Sequence, residues 1–228
     1  MGASRAGAGG RYPALVPTLI LASASPARLS TLQRAGVRPE VIVSGVDEAV
    51  ALQEAEQQYG ALPAERVVLT LARAKCEQVA RGLIGREVLV LGCDSVLEVD
   101  GQVHGKPADA TEATERWRAM RGRSGVLHTG HWLVDLRQPM PEVSGEPMGA
   151  VASTTVHFAD LTDAEIRAYV ATGEPLQVAG GFTVDGLGGP YVTGIEGDQH
   201  AVVGLSLPVL RDLIGTLGIA WHELREPV

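Results

Sequence analysis

Cysteine is nearly absent: Cys76 and Cys93 are the only two in 228 residues. One falls in an expected helix and the other at an expected strand end. They have neither zinc-ligand spacing nor the pattern of a disulfide framework. Cys93 is a poor candidate nucleophile, because the neighbouring Asp94 carboxylate disfavours a thiolate. No apolar run is long enough to span a bilayer. The Gly-, Ala- and Arg-rich start carries no apolar core ahead of a cleavage site, so residues 1–17 read as a flexible extension and the chain as cytoplasmic. The Gly-x-x-x-x-Gly-Lys-Ser/Thr loop is missing, which excludes a P-loop enzyme. Positive charge is also in deficit. A formal net charge of −8 argues against a surface for long nucleic acid but leaves room for a local basic pocket that takes a small phosphorylated ligand. No internal repeat is present.

What is there is a globular composition, 45% hydrophobic and 20% charged, in a chain long enough to bury a proper core. The most informative stretch opens at Thr18. Leu19, Ile20 and Leu21 read as a buried strand that stops at Ser23. A helix then begins with Ser25 as N-cap, Pro26 at the first helical position, and Leu29 and Leu32 as its apolar stripe. A strand running into a helix leaves backbone N–H groups unpaired. With the hydroxyls of Ser23 and Ser25 and the cation of Arg28, the turn suits a phosphate. An ordinary capped helix with a surface arginine would show the same residues.

A second strand is expected over residues 41–46, ending at Asp47 and Glu48, followed by a polar stretch through Gly60. A strong helix spans about Pro63 to Val79, with Val68, Leu71, Ala72 and Val79 on its core face. Lys75 shares that face, where a lysine either snorkels outward or meets an anion. Val88 to Leu91 is a continuous apolar run of the kind buried on both faces of a sheet. It leads into Gly92-Cys93-Asp94-Ser95. A carboxylate at the end of a buried strand either caps a turn or serves a ligand site. Residues 96–103 read as a hairpin around Asp100-Gly101 that delivers Gly105-Lys106-Pro107. Next come a helix from Asp109 or Thr111 to Met120, a strand near 130–136, a long loop over 138–149 and a strand over 153–158. Thr162 to Glu165 is a capping box that opens a helix through Val170. The Gly-rich segment 178–189 suits either a loop wrapping a flat ligand or a plain surface loop. A last strand or hairpin over 195–203 precedes a closing helix from Pro208 to about Leu217. Mixed strands and helices of this kind indicate a mixed-sheet α/β protein.

In order, the chain carries Leu-Ala-Ser23-x-Ser25-Pro26-x-Arg28, Asp47-Glu48, Lys75, Gly92-x-Asp94-Ser95 and Gly105-Lys106-Pro107. Gly173-Glu-Pro175, Ala179-Gly180, Gly197-Asp198 and Val203-Gly204-Leu205-x-Leu-Pro208 follow. This series resembles the Maf family of nucleoside triphosphate pyrophosphatases, over nearly the whole span from Leu19 to Leu217. The resemblance implies cleavage of a nucleoside triphosphate between its α- and β-phosphates, with a divalent metal, Mg²⁺ or Mn²⁺. It implies a mixed sheet in two lobes around a central cleft, an inosine-triphosphatase-like fold, as a homodimer without membrane or nucleic-acid partners. On that basis residues 18–220 form one domain and residues 221–228 a tail.

By position, Asp94 matches the family's catalytic acid. Ser23, Arg28, Glu48, Lys75 and Lys106 match its other active-site positions, and Ser95 matches a position tied to base selectivity. Asp94, Lys75, Lys106 and Glu48 form the expected catalytic set, with Glu48 and Asp94 as metal ligands. Ser23, Ser25, Arg28, Ser95 and Asp185 are the expected substrate contacts. Three positions depart from the family pattern: Ala27, Val178 and Asp185 stand where arginine, lysine and glutamine are usual. An Asp accepts hydrogen bonds only, so Asp185 would favour a base edge rich in donors, such as cytosine or guanine. The alternative function is a catalytically weak nucleotide-binding regulator of septum formation.

Overall fold

The computed structural model describes residues 17–137 and 148–225. The expected N-terminal extension and most of the expected 138–149 loop lie outside these. In chain order the elements are β1 (Thr18–Leu21), α1 (Pro26–Arg34), β2 (Glu40–Val41), α2 (Glu48–Tyr59) and α3 (Ala64–Arg81). β3 (Val88–Val99), β4 (Gln102–His104), α4 (Ala110–Met120), β5 (Ser124–Asp135) and β6 (Gly149–Phe158) follow. α5 (Asp163–Ala171), β7 (Val192–Glu196), α6 (Gln199–Val203) and α7 (Leu207–Thr216) complete the series.

One sheet runs in the order β2-β1-β3-β5-β6-β7, with β4 also paired to β3. β1 is parallel to β2 and β3, and every other pairing is antiparallel. β3 is the spine. Along one edge its first residues pair with β1 through Leu21↔Leu91, and its last pair with β4 from Leu97↔His104. Residues 92–96 therefore have no strand neighbour on that edge, while the other edge stays paired with β5 from Leu89 to Glu98. This gap in the sheet is where the site forms.

The apolar run ending at Leu91 suggested a strand end. Instead the strand continues through Asp94, and only its neighbour changes. Side chains alternate along it. Leu89, Leu91 and Cys93 pack with α1 and α7. Leu97 and Val99, on the same face, pack with Trp117 of α4 and with Ile166, Tyr169 and Val170 of α5. The two clusters lie toward opposite ends of the long strands β3 and β5, which run through both. On the opposite face, Val90 and Val96 meet α3.

α3 buries Ala64, Val68, Leu71, Ala72, Cys76, Val79 and Ala80, the spacing of a core-facing helix. It lies directly on backbone. A Cβ on Gly92 would be 2.2 Å from the Ala72 carbonyl oxygen, and one on Gly130 would be 2.5 Å from that of Val68. Two glycines in adjacent strands thus let the helix approach closely enough for Lys75 to reach Asp94.

Several expectations need correction. The polar stretch after Glu48 is the helix α2, made of good helix formers (Ala, Glu, Gln) but with no buried residue, so it has no apolar stripe to betray it. The expected strand over 41–46 shrinks to the edge pair Glu40–Val41. β5 begins six residues earlier than expected, at Ser124. Residues 199–203, expected in a strand or hairpin, are the short helix α6 capped by Asp198. The expected tail is partly built in: Trp221–Leu224 form a 3-10 turn, and Leu224 is buried against the α7 cluster. No helix among the described residues is long and apolar enough to cross a membrane.

Candidate active site

The turn after β1 folds as its residues require. Ser25 caps α1 by accepting from the Arg28 N–H, with Pro26 at the first helical position. The buried Ser23 hydroxyl accepts from the Ser25 N–H at 3.2 Å and from Arg28 Nη1 at 3.1 Å. Arg28 reaches into the gap beside β3. Nη1 also donates to the Cys93 carbonyl at 2.8 Å, Nη2 to Ser95 Oγ at 3.2 Å, and Nε to the Gly204 carbonyl at 2.7 Å. All four acceptors are neutral. Among the described residues no carboxylate pairs with Arg28, so its charge remains available to an anion.

Asp94 and Ser95 point to opposite faces of β3. On the α3 face, Lys75 Nζ lies 2.6 Å from Asp94 Oδ1 and 2.8 Å from Glu48 Oε1. Lys75 does not snorkel; it meets two anions. Glu48 opens α2, whose N-cap Asp47 accepts from the Val50 N–H. Burial holds the Asp94 carboxyl above its ordinary range, opposed chiefly by Lys75 and Arg28. No described residue hydrogen-bonds Asp94 Oδ2, which leaves that oxygen for water.

On the other face Ser95 Oγ is 2.8 Å from Thr129 Oγ1, which donates to the Ala201 carbonyl. The Thr129 proton is thereby committed, so Ser95 donates to Thr129 while accepting from Arg28. A directed chain runs from Arg28 through Ser95 and Thr129 to α6. Ser95, expected to bear on base choice, is engaged at both ends within the protein. His131, fully buried two residues on, accepts the Ser206 N–H at 2.8 Å and so fixes the start of α7. Burial, then the Arg28 charge, pushes its pKa down to about 4.

Lys106 is exposed and has no described partner, on a loop anchored on both sides. The Gly105 carbonyl accepts from the Gly180 N–H at 3.0 Å and from Arg116 Nη1 at 2.6 Å, while Pro107 packs against Gly181. The Gly-rich segment thus supports the Lys106 loop. Asp185 is exposed in the neighbouring loop, which Glu174 organises by accepting from Tyr169, Thr183, Leu187 and Gly188. No described contact joins Asp185 to the Asp94 cluster. Cys93 is inert as expected, though mainly through burial, which drives its thiol up to about 12.

Sequence reasoning missed Thr129 and His131, whose partners are distant in the chain, and the buried Arg116, which reaches back from α4 to the Gly105 carbonyl. A further signal was available. Lys75 and Lys106 are the only lysines in a chain that otherwise uses arginine.

The arrangement combines a basic turn, a carboxylate with raised basicity and a lysine-bridged carboxylate pair, all at a break in a mixed sheet. The family model for Maf-like protein matches residues 18–217. The chain belongs to the Maf family. A protein of Salinispora tropica described as a nucleoside triphosphate pyrophosphatase is 55% identical over 204 residues, covering 88% of this chain and 84% of that one. Proteins with the same description from Streptomyces coelicolor and Mycobacterium marinum are 53% and 50% identical, covering 92% and 89% of this chain and 95% and 94% of theirs. Among solved structures, the Staphylococcus aureus Ham1 protein overlaps at a TM-score of 0.38 with 15% identity, over 63% of this chain and 72% of that one.

Proposed function

We propose that this Maf protein hydrolyses a nucleoside triphosphate to the monophosphate and pyrophosphate in the gap beside β3. The observation that carries the reading is the Lys75–Asp94–Glu48 cluster, set next to an arginine whose charge no carboxylate cancels. A triphosphate repels an incoming hydroxide until its charge is offset. Arg28, held by neutral acceptors, supplies a fixed positive field there. The Ser25-capped start of α1 adds N–H donors, and Lys106 supplies a second, movable cation from its loop. Asp94 orients the attacking water through Oδ2 and accepts its proton, a role favoured by a carboxyl whose pKa burial has raised.

The donor set also fits a divalent cation. Among the described residues no group of three or more His, Cys, Asp or Glu side chains could hold a metal by itself. Two carboxylates sharing one cation match the way Mg²⁺ is held, by one or two carboxylates plus substrate phosphates. Glu48 and Asp94 would hold Mg²⁺ or Mn²⁺, which when bound neutralises phosphate charge. The family resemblance also implies a homodimer. Exposed Val41, Val43 and Val50, on and near the edge strand β2, offer apolar surface for a second copy.

The regulator reading is not favoured, since a sensor needs no buried Asp94 with raised basicity. The test is product analysis over a panel of canonical and methylated nucleoside triphosphates with Mg²⁺ or Mn²⁺. One pyrophosphate per monophosphate, without orthophosphate, is the expected result. Orthophosphate, or nucleotide bound without turnover, would overturn the proposal. The ranking of bases tests Asp185: cytosine or guanine nucleotides should lead, and a strict preference for UTP and dTTP removes it from base selection.

A further inference from the structure

We propose that Lys75 occupies the metal's place in the free protein: its ammonium holds the Glu48–Asp94 pair until a bound triphosphate draws it away and a divalent cation replaces it. The inference rests on the pyrophosphatase reading and adds an order of assembly to it. One ammonium lies 2.6 Å and 2.8 Å from oxygens of two different carboxylates. Two carboxylates so placed repel each other. Lys75 and Asp94 side chains are only 12% and 11% exposed, so solvent screens the Asp94 charge poorly, whereas Glu48, at 55%, stays open to water and to an incoming ion. The positive group between them in the free protein is Lys75.

A divalent cation would need the same oxygen lone pairs. It cannot share them with an ammonium at hydrogen-bond distance, because the two cations repel. Lys75 can leave: it is a point charge on a flexible four-carbon stem, and its described polar partners are these two carboxylates alone. A triphosphate at the neighbouring Arg28 offers it replacement anions. Arg28 cannot make the same move, because its planar fork is tied to four acceptors on three separate segments. The consequence is coupling. Metal binds weakly to the free protein and more tightly once nucleotide has withdrawn the lysine, and linkage requires that metal tighten nucleotide by the same factor.

The experiment is a titration of the full chain with Mn²⁺ alone, followed by electron paramagnetic resonance of the free ion. Lys75→Gln should bind one Mn²⁺ about tenfold or more tightly than the wild type. Adding Glu48→Gln should abolish the gain, which assigns it to the carboxylate pair. Wild type binding Mn²⁺ as tightly as Lys75→Gln, or a gain indifferent to Glu48→Gln, overturns the inference. A wild-type arm covers the case in which the variant does not fold. Mn²⁺ alone should leave the melting temperature unmoved, whereas Mn²⁺ with an α,β-methylene nucleoside triphosphate should raise it above the nucleotide alone. A rise with Mn²⁺ alone as large as with both is the contrary result. Pyrophosphate release by the wild type separates the two failures: if it persists while Mn²⁺ binds the free protein tightly, only this inference falls.

Discussion

Two cations meet adjacent residues of one strand, and they are held in opposite ways. Lys75, on the α3 face, bonds only to carboxylates, Asp94 and Glu48. Arg28, in the sheet gap, bonds only to neutral oxygens of Ser23, Cys93, Ser95 and Gly204. A cation paired with anions has its charge cancelled locally and contributes field only when released. A cation held by carbonyls and hydroxyls keeps its charge and loses its freedom. The strand's alternation separates them: Asp94 faces Lys75 and Glu48, where the proposed reaction places the attacking water, whereas Ser95 faces Arg28 and the scaffold that fixes it.

The largest effect should come from lifting α3 off the sheet. Gly92→Ala would put a Cβ 2.2 Å from the Ala72 carbonyl, backbone that cannot rotate away. The expected cost is about 3 kcal/mol or more in chemical denaturation, the upper range for overpacked cores, because the clash is with backbone. Turnover should fall with it, because Lys75 lies one helical turn beyond Ala72. A variant of wild-type stability and activity would show that the close approach does not position the lysine.

The fixed side can be weakened through pH. His131 is buried neutral with a pKa of about 4, against 6.5 when unfolded. Protons therefore bind the unfolded chain first, and stability present above about pH 6.5 is lost as the pH falls toward 4, on the order of 3 kcal/mol. Denaturation between pH 7 and 4 should show this slope, reduced in His131→Gln. An unchanged slope would place the proton uptake elsewhere.

Thr129→Val, the smallest of these changes, tests the same side without a charge. It removes the acceptor of the Ser95 proton and one of the two donors to the Ala201 carbonyl, while Ser95 Oγ keeps Arg28 and Ala201 keeps the Gly204 N–H, a penalty of about 1 kcal/mol. The Michaelis constant should rise more than kcat falls, because Arg28 loses alignment while Asp94 keeps its own. Thr129→Ser should restore both. Equal losses of kcat in the two variants would mean that the hydroxyl chain does not orient the arginine.

Legibility in sequence follows the same division. Ser23, Ser25, Arg28, Lys75 and Asp94 stood out because each broke a local pattern: hydroxyls at a strand's end, a lysine in an apolar stripe, a carboxylate after a buried run. The capping box at Thr162 and the Asp100-Gly101 hairpin were visible for the same reason, as local chemistry with a fixed spacing. α2 was not visible, because a helix without a buried face has no period to detect. The apolar run stops at Leu91 because Gly92 makes room for α3 and Asp94 and Ser95 meet polar partners, while the strand continues on its pairing with β5. Thr129 and His131 act through Ala201 and Ser206, contacts that exist only once the sheet has formed, and Arg116 acts through Gly105, where α4 folds back on the loop before it.

The most direct measurement is the turnover of Asp94→Asn against that of Ser95→Ala, in one pyrophosphate-release assay, with melting temperatures to confirm folding. If the α3 face carries the chemistry, Asp94→Asn loses on the order of 10²–10⁴-fold in kcat. Ser95→Ala, which removes the bond from Arg28 and the bond to Thr129 on the supporting side, should lose no more than about tenfold. Near-normal turnover by Asp94→Asn, or a loss in Ser95→Ala as large as its own, would contradict the account.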